Sequence, residues 1–153
     1  MQVRNIMTRD VHTVHEDTPV HVVARLMSAH GISGLPVVDA AGGVVGMITE
    51  LDLIARNARL EMPVFVQILD AAIPLELPSH LRGRLRHMLG THAGDLMSRK
   101  VHAVAADTEI EDLVALMLKQ EVNPVPVLAD GRLVGIVSRS DLVRMMATEI
   151  GAD

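Results

Sequence analysis

The sequence predicts a mixed α/β (α+β) fold made of two tandem copies of one β-α-β-β-α unit. Three observations carry this. First, the chain repeats itself: Met7, Val11, His12, Val14, Asp17, Thr18, Met27, Pro36 and Val37 recur as Met97, Val101, His102, Val104, Asp107, Thr108, Met117, Pro126 and Val127. Second, each copy alternates short Val-rich runs with a stripe of apolar residues at helical spacing. Third, the chain is 49% hydrophobic yet has a single aromatic residue, Phe65, so it must build an aliphatic core. A unit this small buries its own apolar faces poorly, and the two copies are expected to pack sheet to sheet.

Each copy opens with an extended segment, Val11–Val14 and Val101–Val104. A helix follows. Val20, Val23, Ala24 and Met27 match Ile110, Leu113, Val114 and Met117, the i, i+3, i+4, i+7 pattern of one buried face. Pro19 suits the first helical position of the first copy. Thr108 with Glu111 reads as a capping box in the second. The runs Leu35-Pro36-Val37-Val38 and Val125-Pro126-Val127-Leu128 read as strands, with proline at a strand start or edge. Turns at Asp39–Gly43 and Ala129–Gly131 lead into second strands, Val44–Ile48 and Leu133–Val137. A last helix opens at Thr49 in one copy and at Ser138 in the other.

The expected organisation is therefore a first unit over 2–58, an insert over 59–91 and a second unit over 92–149. The insert reads as helical. Pro63 would open one helix, and Ser79 would cap another bearing Leu81, Leu85, Met88 and Leu89, decorated by Arg82, Arg84 and Arg86. Those arginines read as a solvated face, with anion or partner contact as the alternative.

Composition excludes several function classes. The net charge of -5 lacks the basic excess of a nucleic-acid binder. With no cysteine there is no disulfide, thiolate metal site or cysteine nucleophile. No apolar run is long enough for a signal peptide or a membrane span, so the expected location is cytoplasmic. The eight histidines form no compact metal motif, and His12 and His102 occupy matching repeat positions. No nucleophile elbow, Walker loop or dinucleotide fingerprint is present, and no catalytic residue is assigned. Met27 and Met117 fall on the buried stripe and read as core.

The most informative segment is Gly46-Met47-Ile48-Thr49-Glu50-Leu51-Asp52, matched by Gly135-Ile136-Val137-Ser138-Arg139-Ser140-Asp141. Both read Gly-x-x-[Ser/Thr]-x-x-Asp at a strand-to-helix junction. A hydroxyl beside free helix N–H groups can hold a phosphate, and a carboxylate one turn on can accept hydrogen bonds from the paired hydroxyls of a ribose. Arg139 adds a guanidinium in the second copy. The same pattern is also a helix-capping signature.

These segments together resemble the CBS motif. The resemblance rests on Asn5-Ile6-Met7-Thr8 and Asp95-Leu96-Met97-Ser98, the Val-x-[Thr/Ala]-Val runs, the hydrophobic-Pro-Val strands and the paired Thr/Ser-x-x-Asp. It covers 2–58 and 92–149. It resembles stand-alone CBS pairs (Bateman modules) with an insert between the motifs. It implies motifs related by a pseudo-twofold axis, with two clefts between them that take AMP, ADP, ATP or S-adenosylmethionine and no cofactor required. Thr49 and Ser138 would meet phosphate, and Asp52 and Asp141 ribose. Ile32, Gly34, Leu35 and Pro36, with Val122, Val125 and Pro126, would line the adenine pockets. Thr13 would add a hydroxyl in the first copy, where the second has Ala103. Gly34 faces Pro124 in the repeat, so the clefts are expected to be unequal. A homodimer and a regulated protein partner are implied. The rival expectation is a structural or oligomerisation module whose Thr49 and Ser138 only cap helices.

Overall fold

A computed structural model describes residues 1–57 and 90–150. The helices expected around Pro63 and Ser79, and Arg82, Arg84 and Arg86, lie outside the described residues. In the first unit a 3-10 turn, Val3–Asn5, precedes α1 (Val20–His30), β1 (Gly34–Val38), β2 (Val44–Thr49) and α2 (Glu50–Asn57). In the second, α3 (Ala93–Leu96) precedes β3 (Val104–Ala105), α4 (Ile110–Gln120), β4 (Val125–Ala129), β5 (Arg132–Val137) and α5 (Arg139–Ile150). Mixed helix and strand in repeated order is the class that the pattern predicts.

Among the described residues the strands form two small sheets. β1 and β2 pair antiparallel from Gly34 opposite Thr49, and β4 and β5 do so from Val125 opposite Val137. β3 joins β4 in parallel through Val104 and Val127. The first copy keeps only the equivalent bridge, Val14 to Val37. The extended segments are thus shorter than expected. Pairing starts only at Val14 and Val104, because Val11 and His12 run along a cleft and leave the ladder.

The helix starts also differ from expectation. Thr108 does not cap α4; its Oγ1 accepts the Ala105 N–H at 3.1 Å, closing a turn before the helix. Thr18 does the same for the His15 N–H at 3.0 Å. Pro19 and Glu109 are the N-cap residues, neither with a side-chain capping bond. The residue just before the opposite copy supplies the missing acceptor. The Val20 N–H donates to the Thr91 carbonyl and the Ile110 N–H to the Met1 carbonyl, both at 2.9 Å. An orphan helix donor needs some acceptor, and here it is tertiary.

That exchange ties together the two copies among the described residues. The Val3 N–H donates to Thr108 at 2.9 Å, and the matching Ala93 N–H to Thr18 at 2.8 Å. Thr8 bridges Ile136, and Ser98 bridges Met47. One core therefore combines Val23, Met27, Leu35, Val37 and Ile48 with Ala93, Leu96 and Met97 of the second opening. The other combines Leu113, Met117, Val125, Val127 and Val137 with Val3, and with Ile6 and Met7 packed against it. The copies were expected to complete each other sheet to sheet; instead, each core is completed by the opening of the other copy. Glycine permits it. A Cβ on Gly46 would lie 2.5 Å from Met97 Sδ, and one on Gly135 2.6 Å from Met7 Sδ. The helical stripes bury Val20, Val23 and Met27 and, in the second copy, Ile110, Leu113 and Met117. Ala24 is exposed and Val114 half-buried, so the stripe is narrower than the spacing suggests.

Candidate functional site

The two strand-to-helix junctions share one geometry. In the first, Asp52 Oδ2 accepts the Thr49 N–H at 2.8 Å and the Thr49 hydroxyl at 3.2 Å. In the second, Asp141 Oδ2 accepts the Ser138 N–H and the Ser138 hydroxyl, both at 2.8 Å. The third residue of each helix thus reaches back to its start, one half of a capping box. The junctions differ in one respect. Asp141 is buried, at 7% exposure, and its Oδ1 also accepts from Arg144 at 3.2 Å. The repeat position of Arg144 is Ala55, which offers no donor.

A cleft of about 380 Å³ opens at the second junction. Its walls come from both copies. Val11, His12, Ile32, Ser33 and Gly34 of the first face Ser138, Asp141 and Arg144 of the second. The His12 and His30 rings stack at its edge with centroids 3.9 Å apart. Three carboxylates (Asp10, Glu50 and Asp141) and one guanidinium (Arg144) line it. At its floor the copies meet so closely that a Cβ on Gly34 would lie 2.5 Å from Pro124 Cδ. Glycine is therefore required there by contact, not by a turn.

Of the residues singled out by sequence, Ile32, Gly34, Ser138 and Asp141 come together in this cleft. Thr49 and Asp52 stand at the matching junction, beside the pairing of Met47 with Ser98. Leu35, Pro36, Val125 and Pro126 are buried within β1 and β4 and do not line the cleft. Thr13 is exposed and lies outside the lining, while its neighbours Val11 and His12 form part of it. Val122 and Arg139 line a second cavity of about 430 Å³, walled by Val114, Met117 and Leu142. The guanidinium at Asp141 is that of Arg144, which the motif does not single out and which lies five positions after Arg139. Sequence reasoning also passed over Asp10, His30 and Glu50. The only available signal was their position beside residues already singled out, and pairing across copies left no local pattern. Among the described residues no group of three or more His, Asp or Glu side chains is placed to hold a metal ion. No helix there is long and apolar enough to cross a membrane.

The CBS domain family model matches residues 3–59 and 93–148. The chain is 32% identical to the uncharacterized protein MJ1426 of Methanocaldococcus jannaschii, over 95% of this chain and 91% of that protein. It is 29% identical to the chloroplastic CBS domain-containing protein CBSX1 of Arabidopsis thaliana, over 88% of this chain and 58% of that one. Among solved structures it is similar to CBSX2 in complex with AMP, with a TM-score of 0.78 and 27% identity, over 96% of this chain and 97% of that one.

Proposed function

The chain belongs to the CBS domain family, and on that premise we propose that it is a regulatory module that binds an adenosyl ligand between its two motifs. The observation that carries this reading is the Ser138–Asp141 junction opening on a cleft that both copies wall. An adenosyl ligand seated there touches both copies at once. Such a ligand shifts the arrangement of the copies only by binding one arrangement better than another. The AMP bound by CBSX2, at 27% identity, supports an adenine nucleotide as the ligand class. AMP, ADP, ATP and S-adenosylmethionine are the candidates.

In this reading Asp141 and Asp52 accept from ribose, Ile32 and Gly34 line the base, and no residue is catalytic. The signal passes to a regulated protein partner in the cytoplasm. Calorimetry and thermal shift with the four candidates test it. Binding that weakens in Asp141→Ala or Asp52→Ala is the expected result. No heat and no shift at millimolar concentration of any candidate would overturn it.

A homodimer is proposed on a separate observation. The last helices each leave apolar side chains in solvent: Leu51 and Ile54 on α2, Val143 and Met146 on α5. Ile54 and Val143 are repeat equivalents, so two matched faces are available for an isologous contact. Light scattering of Ile54→Glu with Val143→Glu should give monomer from dimer. An unchanged mass would remove these faces from the contact.

A further inference from the structure

Resting on the adenosyl reading, we infer that the two strand-to-helix junctions sort adenosyl ligands by charge. The cleft at Ser138 and Asp141 takes a ligand with a neutral or cationic tail. The pseudo-equivalent junction at Thr49 and Asp52 takes a phosphorylated one.

The first support is a reversal of charge at matched positions. Asp10 and Glu50 line the first cleft. Their repeat equivalents are Lys100 and Arg139. The match is spatial as well as sequential for Glu50 and Arg139. The Glu50 N–H donates to the Ser33 carbonyl at 3.0 Å, and the Arg139 N–H to Asn123 Oδ1 at 2.8 Å. Ser33 and Asn123 are themselves equivalents, joined by a 3.4 Å hydrogen bond. Arg139 lines a cavity with Glu121, Val122 and Asn123, the repeat equivalents of the Gly31, Ile32 and Ser33 that line the first cleft with Glu50, and the repeat alone sets Thr49, Asp52 and Lys100 beside them. Three carboxylates oppose one guanidinium in the first cleft, with His12 and His30 as imidazoles. At the matched positions Lys100 and Arg139 balance Asp52 and Glu121. A phosphate beside the first set meets like charge, which costs affinity.

The second support is independent of charge. A phosphate oxygen only accepts, so a hydroxyl must donate to it. The Ser138 hydroxyl is held by Asp141 at 2.8 Å, within the range of a strong hydroxyl–carboxylate bond. The Thr49 hydroxyl is held by Asp52 at 3.2 Å, beyond that range. The Thr49 hydroxyl is therefore the one more easily released to a phosphate.

The test is calorimetry of the full chain with AMP, S-adenosylhomocysteine and S-adenosylmethionine. The three share adenine and the 2′ and 3′ hydroxyls of its ribose, and carry net charges of roughly −2, 0 and +1 near neutral pH. Arg139 and Glu50 are exposed, so reversing either should leave the fold intact. Arg139→Glu is expected to weaken AMP about tenfold or more while S-adenosylmethionine holds within about threefold. Glu50→Arg is expected to weaken S-adenosylmethionine and to add a second AMP per chain. Asp52→Ala should remove AMP, and Asp141→Ala should remove S-adenosylmethionine. If ligands bind but the reversals shift all three alike, or AMP follows Asp141 and not Asp52, charge sorting is overturned while the adenosyl reading stands. If none of the three binds the unaltered chain at millimolar concentration, sorting is overturned, and if ADP and ATP fail as well the adenosyl reading falls with it.

Discussion

The two copies share a backbone plan and differ in the side chains that face their clefts. Matched hydrogen bonds run from each opening to the other copy's helix entry, at 2.9 Å for Val3 to Thr108 and 2.8 Å for Ala93 to Thr18. Both junction aspartates turn back on a hydroxyl residue. Yet Asp10 and Glu50 stand where the other copy has Lys100 and Arg139. Apolar and backbone positions are held alike because both copies must close a core. Cleft positions are free of that demand and can diverge in charge. The difference teaches that pseudo-symmetry of fold does not carry over to symmetry of site.

The comparison is broken most severely at the exchanged openings. Leu96 is fully buried in the core of the first copy, whereas its equivalent Ile6 is only half-buried against the second. Leu96→Ala is expected to cost about 2–5 kcal/mol by urea denaturation, and Ile6→Ala about half of that. Equal losses would mean that the two openings contribute alike.

The junction aspartates should separate next. Asp141→Ala leaves the Ser138 N–H and hydroxyl and the Arg144 guanidinium without their acceptor, at a cost of about 1–3 kcal/mol. Asp52→Ala removes a less buried acceptor with no arginine attached and should cost about 1 kcal/mol. A larger loss at Asp52 would reverse the order of the two junctions.

A smaller difference lies at the ends of α1 and α4. Gly31 and Glu121 occupy the same place with φ of 60° and 54°. That left-handed conformation suits glycine and strains glutamate. Glu121→Gly is expected to raise stability by about 0.5–1 kcal/mol in thermal unfolding, and Gly31→Glu to lower it by a similar amount. No gain at Glu121 would show that its side chain contributes elsewhere.

The smallest effect belongs to one ion pair. Arg99 and Glu16 meet at 3.0 Å with both side chains about half exposed. The pseudo-equivalent pairing is absent, since Ala106 stands in the place of Glu16 opposite Arg9. Glu16→Gln should cost no more than about 0.5 kcal/mol, and the cost should vanish in high salt. A loss that persists in salt would assign Glu16 a role beyond charge.

Much of this fold was legible in the repeat. The offset copies, the helical stripes through Val23 and Leu113, the paired strands and the Asp-Gly turn at Asp130 and Gly131 all follow local periods and turn chemistry. The capping expectation at Thr108 failed because its hydroxyl serves a preceding turn and a distant carbonyl serves the helix. The site was legible only in part. Ser138 and Asp141 lie within one motif, so the sequence holds them together. Arg144 carries no mark in the motif, because its contact with Asp141 depends on the helix face it occupies and not on adjacency in sequence.

By itself the sequence determined the unit, its duplication and the hydroxyl–carboxylate pair at each junction, because all three are short-range patterns that a single chain segment can satisfy. Only the tertiary structure decided that the openings cross to the opposite copy, and that the cleft joins Ile32 and Gly34 to Ser138 and Asp141. Those pairings bring together residues roughly a hundred positions apart, and no local periodicity encodes contacts of that range. What selects them is the burial of Val3 and Leu96 against the other copy and the room that Gly46 and Gly135 leave for Met97 and Met7.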